Sequence, residues 1–155
     1  MFSNAVSDRI RQRLFTIRIN YDLTIDQMIS LGGYYEIDHD ISKITFPIIG
    51  SGQMEADLRV FPFDHSVESA EVIAEIKQAN CQLAKIEHLL FFGAKYPEVQ
   101  KQLPISALGS VWQFSRSLSS VASLDVFQTN FRCLRLDYSN MVWDAYRGFL
   151  AVVSK

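Results

Sequence analysis

Cysteine is nearly absent from this chain: Cys81 and Cys133 are the only two in 155 residues, and their separation of 52 fits neither a zinc-ligand nor a redox pair. Both thiols are expected to be reduced and buried. Glycine and proline are also scarce, at seven and four. Gly50 and Gly52 are too few to cradle a phosphate, and no P-loop or dinucleotide fingerprint occurs. No apolar run approaches the roughly 20 residues that cross a bilayer, so no membrane partner is expected. The first residues lack the charged start and apolar core of a secretory signal, which points to the cytoplasm or to export by a signal-peptide-independent route. Internal repeats, low-complexity tracts and dividing linkers are missing too, and nothing calls for a cofactor.

Basic residues are too scattered for a phosphate-binding stripe. Residues 1–104 carry 10 basic and 14 acidic side chains, and residues 105–155 carry 5 and 3. Arg116, Arg132, Arg135, Arg147 and Lys155 form no continuous track, so nucleic acid is not an expected partner.

What is present is a soluble-type composition, 48% apolar and 21% charged, in a length that suits one domain with one core. The clearest element is the chain end. Every side chain in residues 148–153 is apolar or absent, as in a strand buried on both faces. A core completed by such a strand is expected to unfold when the strand is trimmed.

Upstream, residues 9–13 read as a basic, solvated lead-in. Phe15, Ile17, Ile19 and Tyr21 then alternate with polar residues, predicting a strand with one buried face. Thr24 suits a helix N-cap, with Asp26 and Gln27 behind it, Ile25, Met28 and Ile29 as an apolar stripe, and Gly32 and Gly33 as a stop. Residues 34–41 at strand spacing would place Glu36, Asp38 and Asp40 on one side; a solvated acidic face is the expected reading, because calcium loops draw ligands from several directions. Residues 46–49 predict a short strand. Met54, Ala56, Leu58 and Val60 predict another, closing at Pro62.

Ser66 is a candidate cap for a helix whose apolar face would be Val67, Ala70, Ile73 and Ala74 with Lys77. A second helix runs from about Lys85 to Gly93, with His88 at the core edge, and Pro97 to Pro104 bound a short turn of helix. Irregular strands follow at 105–112, 126–130 and 131–138, with serine-rich residues 115–123 as a loop.

The order helix, break, helix, glycine, strands, then Trp143 and Arg147-Gly148-Phe149 resembles the C-type-lectin-like fold, in the branch of formylglycine-generating enzymes and retroelement-diversified binding proteins. Residues 70–80 and 82–92 look like that branch's paired helices, and 148–151 like its terminal strand. Residues 86–112 and 132–152 also resemble a bacterial family sharing Leu-Leu-x-Phe-Gly-Ala-Lys-Tyr-Pro, Ala-Leu-Gly-Ser-Val-Trp and Phe-Leu-Ala-Val, which brings no function with it. The expected fold is therefore α+β, a mixed or antiparallel sheet with two packed helices. Residues 63–155 would be lectin-like, behind a β-rich unit at 1–62. The branch's cysteine pair and the calcium-binding segments of classical lectins are absent, so neither activity carries over.

Three functions compete. The first is a non-catalytic recognition domain for a protein or small-molecule ligand. Its contacts would be Tyr138, Asn140, Asp144 and Tyr146 with Arg135, because tyrosine and short polar side chains suit adaptable surfaces. Trp143 is expected in the core. The second is a cysteine enzyme, Cys81 or Cys133 with His39, His65 or His88 as base, for which no local motif brings the pair together. The third is a structural or regulatory subunit.

Overall fold

The computed structural model describes residues 4–155. In chain order the elements are α1 (Asn4–Gln12), β1 (Phe15–Asn20), α2 (Ile25–Leu31), β2 (Glu36–Ile37), β3 (Gln53–Phe63), α3 (Ser69–Gln78) and β4 (Cys81–Leu83). There follow α4 (Ile86–Lys95), a 3-10 turn (Val99–Lys101), β5 (Ile105–Ser106), β6 (Trp112–Gln113), β7 (Ser119–Phe127), β8 (Phe131–Tyr138) and β9 (Arg147–Val153). The class is α+β. The strands form one nine-stranded mixed sheet ordered β1-β3-β9-β5-β7-β8-β2, with β4 also on β9 and β6 on β7.

The terminal strand is central, as its apolar run predicts. β3 lies antiparallel along one edge of β9, from Leu58↔Val152 to Phe63↔Arg147, while β4 and β5 share the other edge. Successive β9 side chains enter different cores. Leu150 joins the cluster of Phe15, Ile17, Leu58, Ile86, Leu89 and Phe92, whereas Phe149 and Ala151 join Phe63, Val72, Ile76, Val121 and Trp143. Since side chains alternate across a strand, these clusters are the two faces of one sheet. Gly148 has no side chain for a steric reason: a Cβ there would lie 2.7 Å from Val60 Cγ1 and 3.0 Å from Leu103 Cδ1.

Several local readings hold. β1 buries Phe15, Ile17 and Ile19. At α2, the Thr24 hydroxyl accepts from Gln27 N at 3.2 Å and Gln27 Oε1 accepts from Thr24 N at 2.8 Å, a reciprocal capping box. At α4, His88 Nδ1 accepts from Lys85 N at 2.9 Å, so a histidine does the work of the usual N3 carboxylate.

Other readings are corrected. Residues 9–13 are not a free arm: α1 takes in 9–12, Ile10 is buried, and Arg11 donates to the Pro62 carbonyl at 2.6 Å. That contact also explains why β3 runs through Pro62. The Pro62 carbonyl points toward α1 and away from β9, and its ring nitrogen faces the same way, so no ladder donor is lost. Residues 46–49 form no strand; Phe46 is buried and Ile49 exposed. The strand expected at 34–41 shrinks to β2, because Asp38 Oδ1 accepts from Asp40 N at 2.9 Å and turns the chain. The face of α3 is one residue off: Val72 and Ile76 are buried while Ala70 and Ala74 are exposed, and the cap is Glu68.

The largest correction is β7 (Ser119–Phe127), which takes residues 119–123 of the serine-rich stretch into the sheet interior. Serines are tolerated there because they pair. The hydroxyls of Ser106 and Ser123 lie 2.6 Å apart, as do those of Ser119 and Ser139. The strand expected over 105–112 is correspondingly divided into β5 and β6. The two helices likened to the branch's paired helices, α3 and α4, sit on opposite faces of the sheet. The N-terminal strands β1 and β3 are continuous with that sheet through β9.

Candidate functional site

On the β6-β7-β8 part of the sheet, register places Trp112 opposite Ser120 and Ser120 opposite Tyr138, a row across three strands. Phe114 extends it, 4.9 Å between ring centroids from Trp112 and 6.2 Å from Tyr138, both pairs tilted. β2 pairs with β8 only at Cys133 and Leu134, and the chain then turns at Asp38. That turn carries Asp38 and Asp40 to the rim. Together with Leu136 these residues line an open slot of about 330 Å³. Tyr138 is 49% exposed and Phe114 39%, so two of the three rings present surface that folding does not use.

The five residues expected as contacts do not form one site. Tyr138 lies in the slot. Arg135, three positions back on a strand of period two, points to the opposite face, 3.7 Å from Asp125 and 3.8 Å from the Cys133 sulfur. Asn140 is a strap: its carbonyl oxygen accepts from Ser119 N at 3.3 Å and its amide donates to the Ser117 carbonyl. Asp144 is exposed on the loop after Tyr138. Tyr146 is half exposed at φ +68, a region that costs a residue other than glycine about 1–2 kcal/mol. Its amide donates to the Phe63 carbonyl at 2.9 Å, which fixes the turn into β9.

Trp143 belongs to the core, as expected: 4% exposed, edge-on to Phe149, its indole donating to the Ser69 hydroxyl at 2.8 Å. Arg147 is structural too. Its guanidinium donates to Asp137 at 3.1 Å and to the Ser106 hydroxyl at 3.1 Å, and lies 4.9 Å from the Trp143 ring centroid.

Trp112 and Phe114 lie outside the expected set. Their i, i+2 spacing at a strand end, which puts two aromatics on one face, is the sequence feature that points to them.

The cysteines and histidines are not brought together. Cys81 donates to the Ala79 carbonyl and Cys133 to the Phe131 carbonyl, and both thiols are buried. His65 bonds Asp64 at 3.0 Å and Glu71 at 3.4 Å, which raises its pKa, the Asp64 bond acting most strongly. Burial lowers the pKa of His88, with Glu87 opposing and Lys85 assisting. Among the described residues no hydrogen bond joins a thiol to an imidazole.

A second depression, about 410 Å³, includes Tyr21, Asp57, Lys85, Glu87 and His88. Glu87 is 4% exposed and accepts from the Tyr21 hydroxyl at 3.0 Å. Burial, and then Glu87, push Tyr21 up to about 12, so the phenol stays a donor at neutral pH and the pair ties the end of β1 to α4.

The chain matches no family model, no curated protein and no solved structure. Among the described residues no helix is long and apolar enough to cross a membrane.

Proposed function

We propose that this protein is a non-catalytic recognition domain whose contact surface is centred on Tyr138. The observation that carries the reading is the aromatic row Trp112, Phe114 and Tyr138, of which Phe114 and Tyr138 are exposed, on a three-stranded platform rimmed by Asp38 and Asp40. Large rigid aromatics beside a few polar groups are what small-ligand sites and adaptable interfaces share. Asn140, Asp144 and Tyr146 occupy the loop that continues from Tyr138. This loop stands just before the terminal strand, where the lectin-like resemblance puts recognition, and the strained backbone of Tyr146 supports a role there. Both thiols are bonded to backbone carbonyls and not to an imidazole, which favours binding over cysteine catalysis.

The test is a fragment screen followed by backbone and indole NMR. Shifts gathered on residues 112–120, 136–140 and 38–40 are the expected result. Shifts gathered instead on Tyr21, Glu87 and His88 overturn the assignment of the surface.

A further inference from the structure

We propose that the slot between Trp112, Phe114, Tyr138, Asp38 and Asp40 takes an alkylated ammonium group, as in a choline-like molecule or a methylated lysine. The inference rests on the recognition reading above and adds the chemistry of the ligand.

Ring faces are electron-rich, and a cation within about 6 Å of a centroid is attracted to them. This chain uses that contact repeatedly. Arg13 lies 4.5 Å from the Phe15 centroid, Arg132 4.8 Å from Tyr34 and Arg147 4.9 Å from Trp143. Over the three slot rings, as over most rings of the chain, no lysine or arginine stands among the described residues. The rim carboxylates are likewise open to a cation. Asp125 and Asp137 are paired with arginines, whereas among the described residues Asp38 and Asp40 have no ion-pair partner. The slot therefore presents three rings and two carboxylates to which the protein supplies no cation.

Size and polarity narrow the cation. A volume of about 330 Å³ is at the small end of ligand sites, fitting a head group. A calcium ion takes six to eight oxygens; among the described residues no three or more Asp, Glu, His or Cys side chains gather to hold a metal ion, and beside its two carboxylates the slot offers only the Ser120 and Tyr138 hydroxyls. A bare ammonium is strongly hydrated and loses that water on entering. Alkyl groups on the nitrogen spread the charge over an apolar surface that rings and Leu136 can cover.

The experiment is an NMR titration with choline and with its neutral isostere 3,3-dimethylbutan-1-ol, read at the two indole N–H signals. Trp143 is the internal control, because its indole is bonded to Ser69 in the core. Choline is expected to move the Trp112 signal saturably, with the isostere about fivefold or more weaker. The Asp38→Asn/Asp40→Asn protein keeps the turn's acceptor oxygen and should lose part of the preference for choline, the rings keeping the rest. Phe114→Ala should weaken choline in an independently folded variant. A peptide carrying trimethyllysine, compared with its unmodified form, separates the sources: tighter capture than choline assigns a modified protein, equal capture a free small molecule. Equal binding of choline and isostere to the wild type overturns the proposal, as does a calcium response at Asp38 and Asp40 without a choline response. A neutral sugar that moves Trp112 where choline does not also overturns it, while leaving the recognition surface standing. If a broad fragment mixture moves none of the slot signals, the recognition reading falls as well.

Discussion

Replacing Gly93 by alanine sets helix propensity against packing, and the outcome turns on one hydroxyl. Gly93 is inside α4, where alanine is favoured over glycine by about 1 kcal/mol. A Cβ there would lie 2.3 Å from the Tyr34 hydroxyl oxygen and 3.2 Å from both Leu124 methyls. The Tyr34 ring cannot withdraw. Its other edge fills the space where a Gly32 Cβ would stand, 2.2 Å from Cε2, and the Arg132 guanidinium covers its face at 4.8 Å. Arg132 is itself held by the carbonyls of Gly32 and Gly93 and by Gln100. Overpacking of this kind costs about 1–3 kcal/mol, so Gly93→Ala should be neutral to destabilising by about 2 kcal/mol despite the better helix former. Among the described residues the Tyr34 hydroxyl is buried without a hydrogen-bond partner, and burial pushes its pKa up to about 12, with Arg132 opposing. An orphaned buried polar group costs about 1–3 kcal/mol, so Tyr34→Phe should be neutral or stabilising. In the Tyr34→Phe background the oxygen is gone, and Gly93→Ala should recover up to about 1 kcal/mol of helix propensity, less what the Leu124 methyls at 3.2 Å take back. Urea denaturation of the four proteins closes the cycle. If Gly93→Ala costs the same in both backgrounds, or Tyr34→Phe alone costs more than about 1 kcal/mol, the packing account is wrong.

Truncation before residue 147 removes the strand that pairs with β3, β4 and β5, and should abolish the cooperative thermal transition; a truncated protein with a sharp melt would refute the central role of β9. Arg147→Ala removes the donor of the part-exposed Asp137 and one of the two hydroxyl contacts of Ser106, and should cost about 1–3 kcal/mol, measured by urea denaturation. The histidines act on stability in opposite directions. The raised pKa of His65 gives a contribution that is full below 6.5 and is lost as pH rises through the folded value. The lowered pKa of His88 makes the unfolded chain take the proton first, so stability falls as pH drops from 6.5 toward the folded value. His88→Gln, which keeps an acceptor for Lys85 N, should flatten the acid-side loss, and His65→Gln the alkaline-side loss; both are read from melting against pH.

Elements fixed by local chemistry were legible in the sequence. The alternation of Phe15, Ile17 and Ile19, the Thr24 and Gln27 pair, and the unbroken apolar run of β9 each need only near neighbours to be interpreted. What was illegible depends on distant partners. Ser119, Ser120 and Ser123 look like loop until Ser106 and Ser139 arrive to bond two of their hydroxyls. The stripe of α3 could be drawn through Ala70 and Ala74 or through Val72 and Ile76, and only the sheet face beneath it selects the second. The slot is the extreme case, since the short parallel pairing of β2 with β8 is what brings Asp38 beside Trp112. The placement of Arg135 was legible, because an odd separation from Tyr138 on a strand means opposite faces.

The central claim is that the Tyr138 surface serves a ligand and not the core, and the most direct measurement is the melting temperature of Phe114→Ala/Tyr138→Ala together with its fragment response. Exposed side chains contribute within about 0.5 kcal/mol, so the melting temperature should stay within about 2 °C of wild type while the response at residues 112–120 and 136–140 disappears. A fall of roughly 6 °C or more, the scale of large aromatic truncations in a core, with the fragment response intact, would show that these rings hold the fold together and that the ligand surface lies elsewhere.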